Sequence, residues 1–238
     1  MGKVLSEILE SLSKVKDISE GLDYYRHLDT SKWTNDDFFE VLTRTVFSGI
    51  RNSIIEDRWS AISKAFAHFQ VKKVAHYTKR DLRKLLQNDR IIRHEPRLKA
   101  TISNAKKMLK IIEEYGSFRD YINSFKDEDE LIEKTQGYYG GFKGIGETNV
   151  YELLKEIGLP FLKPNRNVRR VFIRLGLVPK KASQEAIVKA GIQMAQENKE
   201  RPGVVDWVVW NFGAYICKAK PLCDRCPLSE CPSRIRKP

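Results

Sequence analysis

The chain has 238 residues and a formal net charge of +12, from 43 Lys and Arg against 31 Asp and Glu. That length suits one or two domains with a buried core, and the positive excess predicts attraction to a polyanion such as nucleic acid. No apolar run approaches the roughly 20 residues that a membrane-spanning helix needs, so no membrane partner is expected. A net positive charge can also serve only to keep a protein soluble, so the binding partner must be inferred from sequence motifs.

Apolar residues recur at three- and four-residue spacing through the first half of the chain, which is the period of amphipathic helices. Two such runs are Phe38, Leu42, Val46 and Ile50, and Leu98, Ile102, Ala105, Leu109 and Ile112. Thr34 or Asn35 is suited to cap the helix that follows, and the acidic run 127–130 predicts another helix start. No segment alternates with period two. The sequence therefore predicts an all-α protein.

A glycine turn, Gly144-Ile145-Gly146, precedes a further predicted helix that ends near Gly158 and Pro160. Backbone N–H groups at the start of a helix attract anions, and Lys143 adds a positive charge, so the turn is suited to a phosphate. The same pattern also fits a helical hairpin that binds nothing.

The segment 141–170 resembles the helix-hairpin-helix of the DNA glycosylases of the endonuclease III superfamily. The resemblance implies that Lys143, Gly144, Ile145 and Gly146 contact DNA. In that family a catalytic Asp follows the hairpin, and bifunctional members carry a nucleophilic Lys just after the glycine turn. Asn165 stands at the position of the Asp, and Thr148 stands at the position of the Lys.

The neutral Asn165 leaves three explanations open. The chain carries an engineered Asp-to-Asn change, or it uses another carboxylate (Glu40, Glu147 or Asp206), or it binds damage without cutting. Thr148 cannot form a Schiff base, so the resemblance implies a monofunctional glycosylase that leaves an abasic site intact.

Residues 91–105, which begin Ile91-Ile92-Arg93-His94, resemble a stretch of bacterial 3-methyladenine glycosylases, and the likeness spans about residues 38–112. It favours alkylated purines as substrates. The catalytic glutamate of that branch has no counterpart, because Arg44 and Thr45 occupy its neighbourhood. Ile50 falls where the family's helix faces the extruded nucleotide, where it would act as an apolar wedge or simply pack in the core.

All four cysteines lie close together near the C-terminus, separated by five, two and four residues: Cys217, Cys223, Cys226 and Cys231. Four thiolates in so short a loop favour a metal centre over two disulfides, and the spacing alone allows zinc or an iron–sulfur cluster.

Residues 205–223 resemble the helix and loop that close the endonuclease III and adenine glycosylase families, which carry a [4Fe–4S] cluster. Two of the three intervals between the cysteines are one residue shorter here than in those families. Lys218 and Lys220 would then face the phosphate backbone.

Together these resemblances imply two helical domains, a barrel at 35–158 with the hairpin and a second domain from 1–34 plus 159–238 with the cluster loop, and a DNA cleft between them. The expected function is base excision repair by a monomeric glycosylase that flips out a damaged or mismatched base of double-stranded DNA. The alternatives are a non-catalytic damage-binding protein and a metal-stabilised adaptor for RNA. Reduced cysteines imply an intracellular protein, cytoplasmic or nucleoid-associated in a prokaryote and nuclear in a eukaryote.

Overall fold

The structure is a computed structural model that describes residues 2–234. Within that range the regular elements are helices, and the only β-type pairing is two isolated β-bridges that form no sheet. The predicted all-α class is therefore confirmed. The α-helices are α1 (Gly2–Ser13), α2 (Ser19–His27), α3 (Asn35–Val46), α4 (Asn52–Ala65), α5 (Val71–Ala75), α6 (Lys79–Gln87), α7 (Glu95–Tyr115), α8 (Phe118–Asn123), α9 (Glu128–Thr135), α10 (Asn149–Glu156), α11 (Arg166–Arg174), α12 (Gln184–Glu197) and α13 (Pro202–Tyr215).

The chain forms two compact units. One unit comprises Met1–Asp29 together with Leu154–Pro238, and the other comprises Thr30–Leu153. We call the first the terminal unit and the second the central unit. No helix in the described part of the chain is long and apolar enough to cross a membrane.

Helix α7 is the centre of the central unit, where it packs against α3, α5, α6 and α8. Its 21 residues bury Leu98, Ala105 and Met108 completely. Burying a leucine or methionine side chain contributes about 1.5–3 kcal/mol to stability. The helix stops at Gly116, whose φ of +87° suits glycine.

Four helices of this unit begin with a side-chain cap, at Thr34, Thr78, Ser117 and Asp127. Thr34 accepts a hydrogen bond from the backbone N–H of Asp37, and the Asp37 carboxylate accepts from the backbone N–H of Thr34, which forms a reciprocal capping box. Thr78 and Asp81 repeat that box at α6. Asp127 caps α9, so the acidic helix start predicted from the sequence is confirmed.

In the terminal unit the core is built around α13, which packs against α1, α2, α11 and α12. The helix is apolar on nearly all sides, as expected of a helix surrounded by others. The indole N–H of Trp207 donates to the carbonyl of Ile18 at 3.0 Å, which joins α13 to the residue before α2. The fully buried apolar side chains of α13 are those of Val204, Val205, Val208, Val209 and Phe212.

An aromatic cluster under α7 gives the central unit a titratable core group. The ring of Tyr121 lies 6.0 Å from that of Phe118 and 4.9 Å from that of Phe125. Only 8% of Tyr121 is exposed, and burial raises its pKa to about 12. The phenol therefore stays neutral in the folded protein at a pH where an exposed tyrosine ionises.

We expect Tyr121 to make the protein lose stability between pH 10 and pH 12. In that window the unfolded chain releases the phenolic proton and the folded chain keeps it, so the free energy of unfolding falls as the pH rises. Tyr121→Phe removes that contribution. Urea unfolding of both proteins at pH 9 and pH 11.5 measures it, and a parallel loss in the two would contradict the assignment.

Candidate nucleic-acid interface and cysteine pocket

The glycine turn lies on the surface of the central unit, directly before α10. Gly144 has a φ of +82°, and a Cβ atom there would lie 3.3 Å from the Val46 side chain. Ile145 is buried and anchors the turn, whereas Lys143, Gly144 and Gly146 are exposed. The N–H of Val150 donates to the carbonyl of Gly146 at 2.9 Å, which begins the predicted helix.

A single side chain fixes the turn to α7. The Asn104 amide nitrogen donates to the carbonyl of Lys143 at 2.9 Å, and its amide oxygen accepts from the N–H of Lys143 at 2.7 Å. Asn104 itself is buried. Two hydrogen bonds from one buried amide satisfy both backbone groups of Lys143, so the position of the turn is set by the central helix of the unit.

The loop that carries Ile50 follows the end of α3 and is also fixed by α7. The Arg97 guanidinium donates to the carbonyls of Val46 and Ser48, and burial lowers the pKa of Arg97. Gly49 has a φ of +90°, and Ile50 is half-buried. The two candidate DNA contacts of this unit, the glycine turn and the Ile50 loop, are therefore both hydrogen-bonded to the same helix.

Thr148 and Glu147 lie between the turn and α10, with Glu147 exposed and Thr148 half-buried. Glu40, another carboxylate suggested as a substitute base, accepts a hydrogen bond from the indole N–H of Trp59 at 2.8 Å. Thr45 is buried and donates to the carbonyl of Val41 in its own helix.

In the terminal unit, Asn165 is the N-cap of α11. Its side-chain oxygen accepts from the N–H groups of Asn167 at 2.9 Å and Val168 at 3.2 Å. An aspartate could form the same helix cap. Capping therefore accounts for a short polar side chain at position 165, but it does not account for the neutral Asn in place of Asp.

Asp206, the third carboxylate suggested as a base, is buried in an ion pair. Its Oδ2 lies 2.7 Å from the Lys155 Nζ, and its Oδ1 accepts from the N–H of Lys163 at 3.0 Å. Lys155 is also 3.0 Å from Glu156 Oε1. Removing one member of such a pair leaves a buried charge uncompensated, at a cost of about 3–5 kcal/mol. Asp206 is thus held in a structural role.

The four cysteines line one pocket of the terminal unit, together with apolar side chains and two arginines. None of the four forms a disulfide. The Arg174 Nη1 lies 3.4 Å from the Cys217 sulfur, and Arg174 also donates to the carbonyls of Lys218 and Ala219. Burial raises the pKa of Cys226. Lys218 and Lys220 are exposed beside the pocket.

Within residues 2–234, no three His, Cys, Asp or Glu side chains are grouped closely enough to hold one metal ion. The four cysteines nevertheless line one pocket.

The family model for methyladenine glycosylases matches residues 22–140, which is half of the chain. The chain belongs to the methyladenine glycosylase family. This confirms the resemblance in residues 38–112. A DNA-3-methyladenine glycosylase of Haemophilus influenzae is 31% identical over 114 residues, a match that takes in 40% of this chain and 62% of the relative. The chain thus covers less than two thirds of that relative's length.

Solved structures extend the likeness to the rest of the chain. The 3-methyladenine DNA glycosylase I of Staphylococcus aureus has 26% sequence identity and a TM-score of 0.50, with 63% of this chain and 90% of that chain covered. An endonuclease III trapped in a covalent intermediate with DNA has 16% identity and a TM-score of 0.61, over 97% of this chain and 93% of that chain. At that identity the second match shows the fold alone, which over 97% of this chain is similar to that of endonuclease III.

Sequence patterns miss three of the residues that build these sites. Asn104 and Arg97 look like ordinary helix positions, and Arg174 is one of several arginines in α11. The only sequence signal for Asn104 is its place within the stretch that resembles 3-methyladenine glycosylases. Its partner lies 39 residues away along the chain.

We expect Asn104→Leu to lower the free energy of unfolding by about 2–4 kcal/mol, because it leaves two backbone groups of Lys143 without a partner. Asn104→Asp should also be destabilising at neutral pH, because it keeps the bond to the Lys143 N–H but places a buried carboxylate against the Lys143 carbonyl. Urea unfolding gives the stabilities, and hydrogen exchange at the Lys143 amide reports the bond itself. Unchanged exchange in Asn104→Leu would contradict the role given to this side chain.

Proposed function

We propose that the protein is a DNA glycosylase of base excision repair that acts on double-stranded DNA containing a modified base. Membership of the methyladenine glycosylase family is the observation that carries the proposal. The exposed glycine turn, rigidly held beside Lys143, supports it because backbone N–H groups and a lysine suit a DNA phosphate. The net charge of +12 supports the same partner.

Alkylated purines are the substrate class that the local chemistry favours. Alkylation at a ring nitrogen such as N3 of adenine makes the base cationic, so the base leaves the sugar as a neutral molecule when the N-glycosidic bond breaks. The electron pair of that bond goes to the base, and water adds to the sugar carbon and loses a proton. Such a leaving group needs less carboxylate assistance than a neutral base does. The neutral Asn165 at the family's Asp position fits this substrate class.

Two further features define the reaction. The side chain of Asn165 is held at the start of α11 by the hydrogen bonds of its helix cap. The arginines of that helix follow it in the sequence. Thr148 supplies no amine, so no covalent enzyme–sugar intermediate forms and the product is an intact abasic site.

Single-turnover base release tests this proposal. We expect the wild type to release 3-methyladenine from alkylated duplex DNA and to leave the strand uncut until alkali is added. Asn165→Asp keeps the helix cap and restores a negative charge, so release should extend to deaminated or oxidised bases that are not cationic. Chromatography of the freed bases measures both outcomes.

Tight binding of damaged duplex with no base released by either protein would contradict the proposed enzymatic activity. It would favour a second candidate function, a damage-recognition protein without catalysis, which Asn165 and Thr148 also support. Strand scission by the wild type without alkali would contradict the monofunctional mechanism instead.

We also infer a [4Fe–4S] cluster in the cysteine pocket. The inference rests on the resemblance of residues 205–223 to the helix and loop that carry such a cluster, and on four cysteines that line one pocket. A four-iron cluster binds each of four thiolates through a different iron atom. When bound, the cluster would supply a rigid core for the loop 217–231. Lys218 and Lys220 then contact the phosphate backbone. The cluster would require a reducing, intracellular compartment.

We expect purified protein to be yellow-brown and to contain about four iron atoms per chain. Cys226→Ser should lose most of the iron and the visible absorbance, because it removes one of the four thiolates. Metal analysis of wild type and variant measures this. One zinc ion and no iron in protein purified without oxygen would overturn the assignment.

A further inference from the structure

A small loop precedes the glycine turn and has a fixed shape. The N–H of Gly141 donates to the carbonyl of Gln136 at 2.8 Å, and the N–H of Phe142 donates to the carbonyl of Thr135 at 3.0 Å. These bonds close the base of a loop whose tip is Tyr138 and Tyr139. The side chain of Phe142 is completely buried, so the base is anchored in the core of the central unit.

The base of this loop is too tight for any residue except glycine at two positions. A Cβ at Gly137 would lie 2.5 Å from the carbonyl oxygen of Phe142, and one at Gly141 would lie 2.4 Å from that of Gln136. Both distances are far below van der Waals contact with backbone atoms. These contacts fix the base of the loop, which limits the entropy lost when the tip binds a partner.

The tip exposes two aromatic rings to solvent. Tyr138 is 90% exposed and Tyr139 is 56% exposed, while the next large apolar residue among the described ones, Val15, is 47% exposed. The two rings lie 5.3 Å apart in an edge-to-face arrangement. Neighbouring aromatic rings on a rigid projection contribute little to folding and are suited to contact with another molecule.

The loop is joined to the glycine turn. The N–H of Gly137 donates to the carbonyl of Ile145 at 2.8 Å. The Lys107 ammonium donates to the carbonyl of Gly140 and lies 5.5 Å from the centre of the Phe142 ring. The exposed Lys143 follows directly. Aromatic rings beside positive charges form the surface that binds unstacked nucleobases, because the rings stack on a base and the lysines contact the phosphates.

We propose that Tyr138 and Tyr139 stack on a nucleobase that has lost its neighbour at a damaged position, while the glycine turn holds a nearby phosphate. This inference rests on the proposed function, since it takes duplex DNA as the partner. In an intact duplex both faces of each base are covered, so the rings find a free face only where the stack is interrupted. The tyrosines thus favour disrupted duplex over intact duplex.

The test compares binding to two duplexes of one sequence, one with a tetrahydrofuran abasic analogue and one undamaged. The double variant Tyr138→Ala/Tyr139→Ala should bind the abasic duplex roughly 5- to 100-fold more weakly and the undamaged duplex almost as well as wild type does. The double variant Tyr138→Phe/Tyr139→Phe keeps the rings and should match the wild type. Fluorescence anisotropy with labelled duplexes gives the dissociation constants.

Salt dependence separates stacking from electrostatics. The tyrosine variants should keep the wild-type slope of log Kd against log salt, because they remove no phosphate contact. Lys143→Gln should weaken binding to both duplexes alike and reduce the slope by about one. Tyr115→Ala is the control for loss of another exposed tyrosine, which lies about 12 Å along α7 from Lys107. Because its ring lies 5.2 Å from that of Tyr121, the stability of this variant is measured in parallel. It should behave as the wild type.

Each other outcome has a distinct meaning. If the wild type binds neither duplex, the proposed function fails and this inference fails with it. If the wild type prefers the abasic duplex and the alanine variant binds it equally well, the function stands and the tyrosines are not its DNA contact, which would point to a protein partner for them. If the phenylalanine variant is as weak as the alanine variant, stacking is overturned.

Discussion

The paired hydrogen bonds between the Asn104 amide and the backbone of Lys143 are the contact on which the central unit's candidate interface depends. They join the exposed glycine turn to a buried side chain of the central helix α7, so the turn keeps its shape without a ligand. Arg97, which precedes Asn104 on α7, likewise fixes the loop before Ile50 by donating a hydrogen bond to the carbonyl of Ser48. One helix therefore sets both elements, and a preorganised turn loses little entropy when it binds a phosphate.

Much of the fold could be predicted from the sequence, because helix periods and caps are local signals. Thr34 with Asp37, and the glycine turn followed by Val150, are examples in which the deciding residues are a few positions apart. The contacts of Asn104, Arg97 and Arg174 could not be predicted in that way, since their partners are backbone carbonyls up to about fifty residues away. Any polar residue at those positions fits the helical pattern equally well.

The two units carry different likenesses and different chemistry. The family match covers residues 22–140, whereas the likeness in fold to endonuclease III covers 97% of the chain. The polar groups of the terminal unit are largely committed to structure: Asn165 caps a helix, and Asp206 is paired with Lys155. The proposed preference for alkylated bases depends on the neutral Asn165, because a site with no carboxylate at that position suits a substrate that brings its own positive charge.

A crystal structure with duplex DNA containing an abasic analogue tests the central claim most directly, namely that the turn fixed by Asn104 is the phosphate-binding element. The account predicts a phosphate oxygen within hydrogen-bond distance of a backbone N–H of residues 144–146, with Lys143 beside it and Asn104 still bonded to the Lys143 backbone. A duplex bound on another surface, with the turn facing solvent, would contradict it.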